Sequence, residues 1–219
     1  MSDQLPHAHL LKRQPAQARS AERVEALLDA AAQLLEDREP EAVTVRDLAT
    51  AAGVPTGTLY QFFEDKDAVL QALAVRFLAA MPGVLDGALE PATDDWSRTL
   101  DRVVDGYAEI VRAHPAIRRL WLSGTLDAAT RHLEQETDSA IAARLGATLR
   151  RQAGSRRGSP AQWQTLAALI NGLLVHAFAT DPAGDPRALR EARRAARAYA
   201  AAVLGVTSSR DIQLPVTEL

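Results

Sequence analysis

The sequence predicts an all-α fold. Hydrophobic residues make up 47 % of the chain, with alanine and leucine dominant. Apolar residues recur at i, i+3, i+4 and i+7 in segment after segment. No stretch shows the strict alternation of a half-buried strand. At 219 residues the chain can form one medium domain or two small ones.

The first helix is expected over residues 20–37, where Val24, Leu27, Leu28, Ala31, Leu34 and Leu35 form one apolar stripe. Pro40 lies in the segment that ends it. A short helix follows over 45–52, with Thr44 as N-cap and Asp47 completing a capping arrangement. Gly53 closes it in a left-handed conformation, and Pro55 sits as a first helical residue for a second short helix over 56–63.

A fourth helix, 66–81, carries Val69, Leu70, Leu73, Phe77 and Leu78, and Pro82-Gly83 is expected to kink or end it. Residues 90–95 read as a loop. Helices are then expected over 95–113, 115–122 and 126–152, with His114-Pro115 separating the first two. Residues 154–159 (GSRRGS) read as a flexible linker. Two final helices cover 160–180 and 186–204. Residues 1–19 read as a flexible arm and 205–219 as a disordered tail.

Composition narrows the function classes. The chain has no cysteine, which excludes disulfides, thiolate nucleophiles and Cys-rich zinc sites. No uninterrupted apolar run reaches the roughly 18–20 residues of a membrane span. The first residues lack a secretory core, so no membrane partner and a cytoplasmic location are expected. The five histidines (7, 9, 114, 132, 176) show no HExxH or clustered spacing. No phosphate loop or nucleophile elbow is present. The expectation is a non-enzyme with no catalytic residue, no metal and no cofactor.

Two short helices joined by a glycine turn, behind a longer helix, make a helix-turn-helix. In the second short helix Leu59, Phe62 and Phe63 fall together and face inward, while Gly57 and Gln61 lie opposite, with Thr58 and Tyr60 on the flanks. The outward face is small or polar and uncharged, which a major groove accepts. Gly57 permits close approach and Gln61 can pair with an adenine edge. The hydroxyls of Thr56, Thr58 and Tyr60 can reach phosphates or bases. Charge argues the other way. The whole chain carries −3, and residues 1–70 hold 7 Lys and Arg against 12 Asp and Glu, a difference of −5. DNA binding must then rest on a few well-placed donors.

The run Thr44–Leu73, TVRDLATAAGVPTGTLYQFFEDKDAVLQAL, resembles the signature of TetR-family repressors. Thr44, Val45, Leu48-Ala49, Ala52-Gly53-Val54, Gly57, Leu59-Tyr60, Phe63, Lys66 and Leu70 carry the match. With the first helix it spans about residues 20–75. The resemblance implies a DNA-binding domain over 20–66 and a ligand-binding and dimerisation domain over 67–204. It implies phosphate contacts from Thr44, Tyr60 and Lys66, and places Arg46, Thr56, Gly57, Thr58 and Gln61 near bases or backbone. Phe62 departs from the pattern and is assigned to packing; Pro55 replaces a frequent serine.

The last two helices carry apolar faces suited to pairing two copies in a four-helix bundle, as the resemblance also implies. The residues expected there are Trp163, Ile170, Leu173, Leu174, Leu189, Ala192, Ala196, Tyr199 and Val203. Closing the monomer core is the alternative use of the same faces. Arg190, Arg193, Arg194 and Arg197 read as a solvated row. An effector pocket is expected among Trp96, Tyr107, Val111, His114, Arg118, Trp121, Asn171 and His176, because aromatics with a few polar groups suit a small molecule. The expected partners are double-stranded DNA with a near-palindromic operator, a second copy of the chain and an unidentified small-molecule effector. An activator with the same head, and a helical protein with a vestigial head, are the competing readings.

Overall fold

A computed structural model describes residues 6–13, 18–90, 95–122, 124 and 126–206. The expected tail beyond 206, most of the 90–95 loop and parts of the N-terminal arm lie outside these residues. Among the described residues the elements are α1 (Ala18–Leu34), α2 (Val45–Ala51), α3 (Thr56–Phe62), α4 (Lys66–Leu89), α5 (Trp96–Ala113), α6 (Pro115–Leu122), α7 (Ala128–Gln152), α8 (Pro160–Thr180) and α9 (Pro186–Leu204). Short 3-10 turns occupy Ala8–Leu10 and Pro40–Ala42. No strand occurs among these residues, as the periodicity predicts.

The chain divides into two compact units, Met1–Pro82 with Ile110–Thr137, and Gly83–Glu109 with Asp138–Leu219. In the first unit the α1 stripe meets Leu48 of α2, Leu59 and Phe62 of α3, Phe63, and Val69, Leu70 and Leu73 of α4. Ala116 and Leu120 of α6 and Leu126 complete this core. Arg119 of α6 pairs with Glu39 and donates to the Glu36 carbonyl, tying α6 to the segment between α1 and α2.

α4 runs on through Pro82 to Leu89 rather than stopping at Met81. Proline removes one backbone donor, while Leu85 and Ala88 beyond it are buried and reward the extra turns. By length and composition alone α4 is long and apolar enough to cross a bilayer, which the absence of an uninterrupted apolar run had not led us to expect. Half of that apolar stretch is buried inside the protein.

In the second unit α8 and α9 are the most extensively packed helix pair. Ala192, Ala196 and Ala200 are fully buried and let the helices approach closely. α8 starts on a Ser159–Gln162 capping box, and α9 on Asp185 followed by Pro186. Segment 154–159 is not the loose linker its composition predicts. The Ser155 hydroxyl donates to the Leu204 carbonyl (2.7 Å), and Arg150 and the Trp163 indole both donate to the Gly158 carbonyl (3.1 and 3.2 Å). The Trp163 ring lies so close to Gly146 and Gly158 that a Cβ at either would fall within 2.5 Å and 2.3 Å of it.

Three of the four arginines in that row are paired with carboxylates rather than only solvated, Arg194 with Glu191 at 3.7 Å on its own helix. Arg193 donates to Asp105 (2.7 Å) and Arg197 to Asp101 (2.7 and 2.8 Å). Burial pushes the Asp101 carboxyl above its ordinary range, against the pull of Arg197 and Arg193.

Candidate nucleic-acid interface

The local sequence builds α2 and α3 as a rigid pair. Thr44 caps α2: its hydroxyl accepts from the Asp47 amide (3.2 Å) and donates to the Asp47 carboxylate (2.6 Å), which also accepts from the Thr44 amide (3.1 Å). These bonds, with Arg38 at 3.6 Å, hold the Asp47 carboxyl below its ordinary range. The cap is therefore intact above that range and fades as pH falls through the lowered value.

At the other end of α2, the Val54 amide donates to Ala49 (3.0 Å) and the Gly53 amide to Thr50 (3.2 Å), a Schellman pattern. Gly53 takes φ +65°, a conformation that costs other residues about 1–2 kcal/mol. Pro55 precedes α3 with ψ 143° and so caps it from outside, one residue earlier than expected.

α3 then presents two faces. Leu59 and Phe63 are fully buried and Phe62 nearly so, which bears out packing for Phe62. Thr56, Gly57, Tyr60 and Gln61 are exposed, Tyr60 by 49 %. Thr58 is 8 % exposed and stands with the inner set, not among the presented hydroxyls. The signal for this was in the sequence: Thr58 and Phe62 are four apart and share a helical face.

Gly57 is exposed, and a Cβ there would meet nothing among the described residues within 4 Å. Its own fold therefore does not require a glycine at that position.

The remaining expected donors divide. Thr44 and Arg46 are exposed, although the Thr44 hydroxyl already serves the cap. Lys66, the first residue of α4, donates to the Pro40 carbonyl (3.0 Å) and pairs with Asp67 (3.2 Å), which fixes its position while leaving its side chain 28 % exposed. The unfavourable charge count of residues 1–70 is partly neutralised in space. Glu25 and Asp29 pair with Arg76, Glu39 with Arg119, Asp47 with Arg38, Glu64 with Lys12 and Asp67 with Lys66. Two of those cations come from beyond residue 70, which a count by sequence window could not include.

Two family descriptions match this chain: "Bacterial regulatory proteins, tetR family" over residues 27–73, and "Tetracyclin repressor-like, C-terminal domain" over 94–203. The chain belongs to the TetR family of transcriptional regulators. A TetR-family regulator of known structure from Streptomyces coelicolor is 31 % identical, with TM-score 0.65 over 85 % of this chain and 99 % of its own. A TetR regulator from Haloarcula marismortui shares the fold at TM-score 0.68 and 19 % identity, covering 84 % of this chain and 99 % of its own. Among curated relatives, the transcriptional regulator EthR of Mycolicibacterium smegmatis is 31 % identical over 107 residues, 49 % of either chain. The repressor KstR2 of Rhodococcus jostii is 33 % identical over 91 residues, 42 % of this chain and 45 % of its own. The chain thus spans about half the length of the curated relatives it matches.

The TetR-type C-terminal half places the other expected residues as follows. Trp163, Ile170, Leu174, Leu189, Ala192, Ala196 and Val203 are buried inside their own protomer, and Leu173 and Tyr199 are half-buried. The apolar faces of α8 and α9 are thus largely used within the protomer. Among its described residues α8 exposes Pro160, Ala161, Gln162 and Gln164 near its start, and Thr165, Ala168, Asn171, Gly172, Val175, His176 and Ala179 along the rest of its length.

Of the residues expected to line a pocket, Val111, His114, Arg118 and Trp121 belong to the first unit, and Trp96, Tyr107, Asn171 and His176 to the second. His114, Asn171 and His176 are exposed. The Trp121 indole is engaged by Glu134. The Tyr107 hydroxyl is buried without a hydrogen-bond partner among the described residues, and burial holds the phenol protonated far above its ordinary range.

Proposed function

We propose that this TetR-family protein is a homodimeric repressor that binds a near-palindromic operator through α3 and is released by a small-molecule effector. The observation that carries the reading is the exposed face of α3. It offers Thr56, Gly57, Tyr60 and Gln61, it has no charge, and a Cβ on its glycine would meet nothing among the described residues. A glycine open to solvent within a helix weakens that helix, and close approach of a duplex is the benefit that offsets it. Gln61 supplies base readout. Thr44, Arg46, Tyr60 and Lys66 supply phosphate contacts, with Lys66 held in place by the Pro40 carbonyl.

The exposed stripe of α8 is the surface we assign to a second copy. Among the described residues a Cβ at Gly172 would meet nothing within 4 Å, and Val175, 38 % exposed, is one of two large apolar side chains left exposed. In the C-terminal half, Tyr107 supplies the best-motivated effector contact, because a buried hydroxyl without a partner favours a ligand that bonds it. Such a ligand relieves repression when it binds the released state more tightly than the DNA-bound one.

The test is fluorescence anisotropy on the protein's own upstream DNA, with nonspecific competitor, at about 50 and 200 mM salt. The expected result is competitor-resistant binding that weakens about 10- to 1,000-fold between them, because the phosphate contacts are few. Competitor-sensitive binding there, and no enrichment from random-sequence DNA, would favour the vestigial head.

A further inference from the structure

The N-terminal residues 6–13 are docked on the DNA-facing unit by a feature the function above leaves unused. His7 is fully buried, and among the described residues neither ring nitrogen finds a hydrogen-bond partner. Ala8 is 5 % exposed, and Leu10 and Leu11 pack against the core that also supports α3. The Lys12 amide donates to the carbonyl of Phe62, the last residue of α3, at 2.8 Å. The segment therefore reaches from a buried imidazole to the end of the helix that faces DNA.

We propose that residues 6–13 form an acid-released clasp on the end of α3, with the neutral imidazole of His7 as its latch. The groups facing that ring settle the direction. From α1, the Glu25 carboxylate lies 3.6 Å from Nε2, but Arg76 of α4 already holds both Glu25 (3.0 Å) and Asp29 (2.7 Å). Burial lowers the ring's proton affinity most; Glu25 opposes this, and Arg76 and His9 add to it. A docked form that binds a proton more weakly than the free form is complete above the ordinary imidazole value, about 6.5. It is lost as pH falls from there toward the lowered value, by up to about tenfold per pH unit for one proton. Release would free the Phe62 carbonyl and move Lys12 and Arg13 from the end of α3. The clasp itself does not rest on the DNA-binding reading; its effect on operator affinity does.

Because the chain has no cysteine, Ala8→Cys installs a single thiol that is reactive only when the clasp opens. Its rate with a methanethiosulfonate reagent is divided by that of Ala42→Cys, an exposed control, which cancels the intrinsic pH dependence of thiols. We expect strong protection at pH 7.5, and a ratio that rises severalfold by pH 5.5 while helical circular dichroism stays constant. In a His7→Leu background, apolar and untitratable, the protection should persist at both pH values, and His7→Gln should likewise remove the rise. No protection at pH 7.5, a ratio flat with pH, an equal rise with His7→Leu, or helix loss over the same interval would overturn the proposal. No DNA enters this measurement, so its failure and the failure of the operator reading are separate results.

Discussion

Replacing Gly57 by alanine and then by leucine is expected to lower operator affinity stepwise, to about 10- to 100-fold below the parent, while leaving the protein as stable or slightly more so. The two effects have opposite signs because they arise on opposite sides of the backbone. Within the chain, a Cβ at position 57 meets nothing within 4 Å. Alanine is the better helix former by about 0.5–1 kcal/mol in helix interiors. On the outer side the added atoms hold α3 away from the base edges, and each lost base contact of good geometry is worth about 1–3 kcal/mol. Thermal melts and anisotropy on the same preparations separate the two. Unchanged affinity for Gly57→Leu would mean that this face does not approach DNA closely.

The second large effect is expected from Val175→Glu, which should turn the dimer into monomer at micromolar concentration, raising the dimer Kd by about 100-fold or more. Val175 lies on the exposed side of α8, so the monomer tolerates the change. In a two-fold interface every substitution occurs twice. Each carboxylate loses water on assembly at an effective penalty of several kcal/mol, and the two repel each other. Analytical ultracentrifugation reads the outcome, and operator affinity should fall with it, because one half-site offers half the contacts. An unaltered dimer would move the pairing surface elsewhere on the chain.

The contrast between α3 and α8 shows what the sequence makes legible. Helical periodicity placed Leu59, Phe62 and Phe63 in the core and gave the limits of α6, α8 and α9 as the structure has them. These features are set within a few turns of chain. Periodicity finds an apolar face but does not say what covers it. The stripe holding Trp163, Ile170 and Leu174 is covered by its own protomer, and the exposed side that we propose for a partner is the less conspicuous Ala168–Gly172–Val175 one. Thr58 looked presentable as a hydroxyl and is buried with Phe62, because a seven-residue helix has little outward face.

Long-range partners were invisible for the same reason. His7 lies in a polar segment with no periodic signal, and the carboxylate beside its ring, Glu25, belongs to α1 rather than to its own segment. The fixing of Lys66 by Pro40 spans 26 residues, and that of Glu39 by Arg119 spans 80. Pro82 failed to end α4 because the burial of Leu85 and Ala88 outweighs one missing hydrogen bond, a balance that local propensity does not contain.

In the proposed complex α3 reads base edges twice, once from each copy. Gln61 is the exposed side chain on that helix best suited to base readout, and it prefers adenine, whereas arginine in its place prefers guanine. Selection from random-sequence DNA by the parent protein and by Gln61→Arg compares the two directly. The expected result is a near-palindromic site with half-sites about 34–36 Å apart, and a change from adenine to guanine at one position in each half-site, symmetric about the centre. Identical selected sequences from both proteins, or a change at a single asymmetric position, would contradict it.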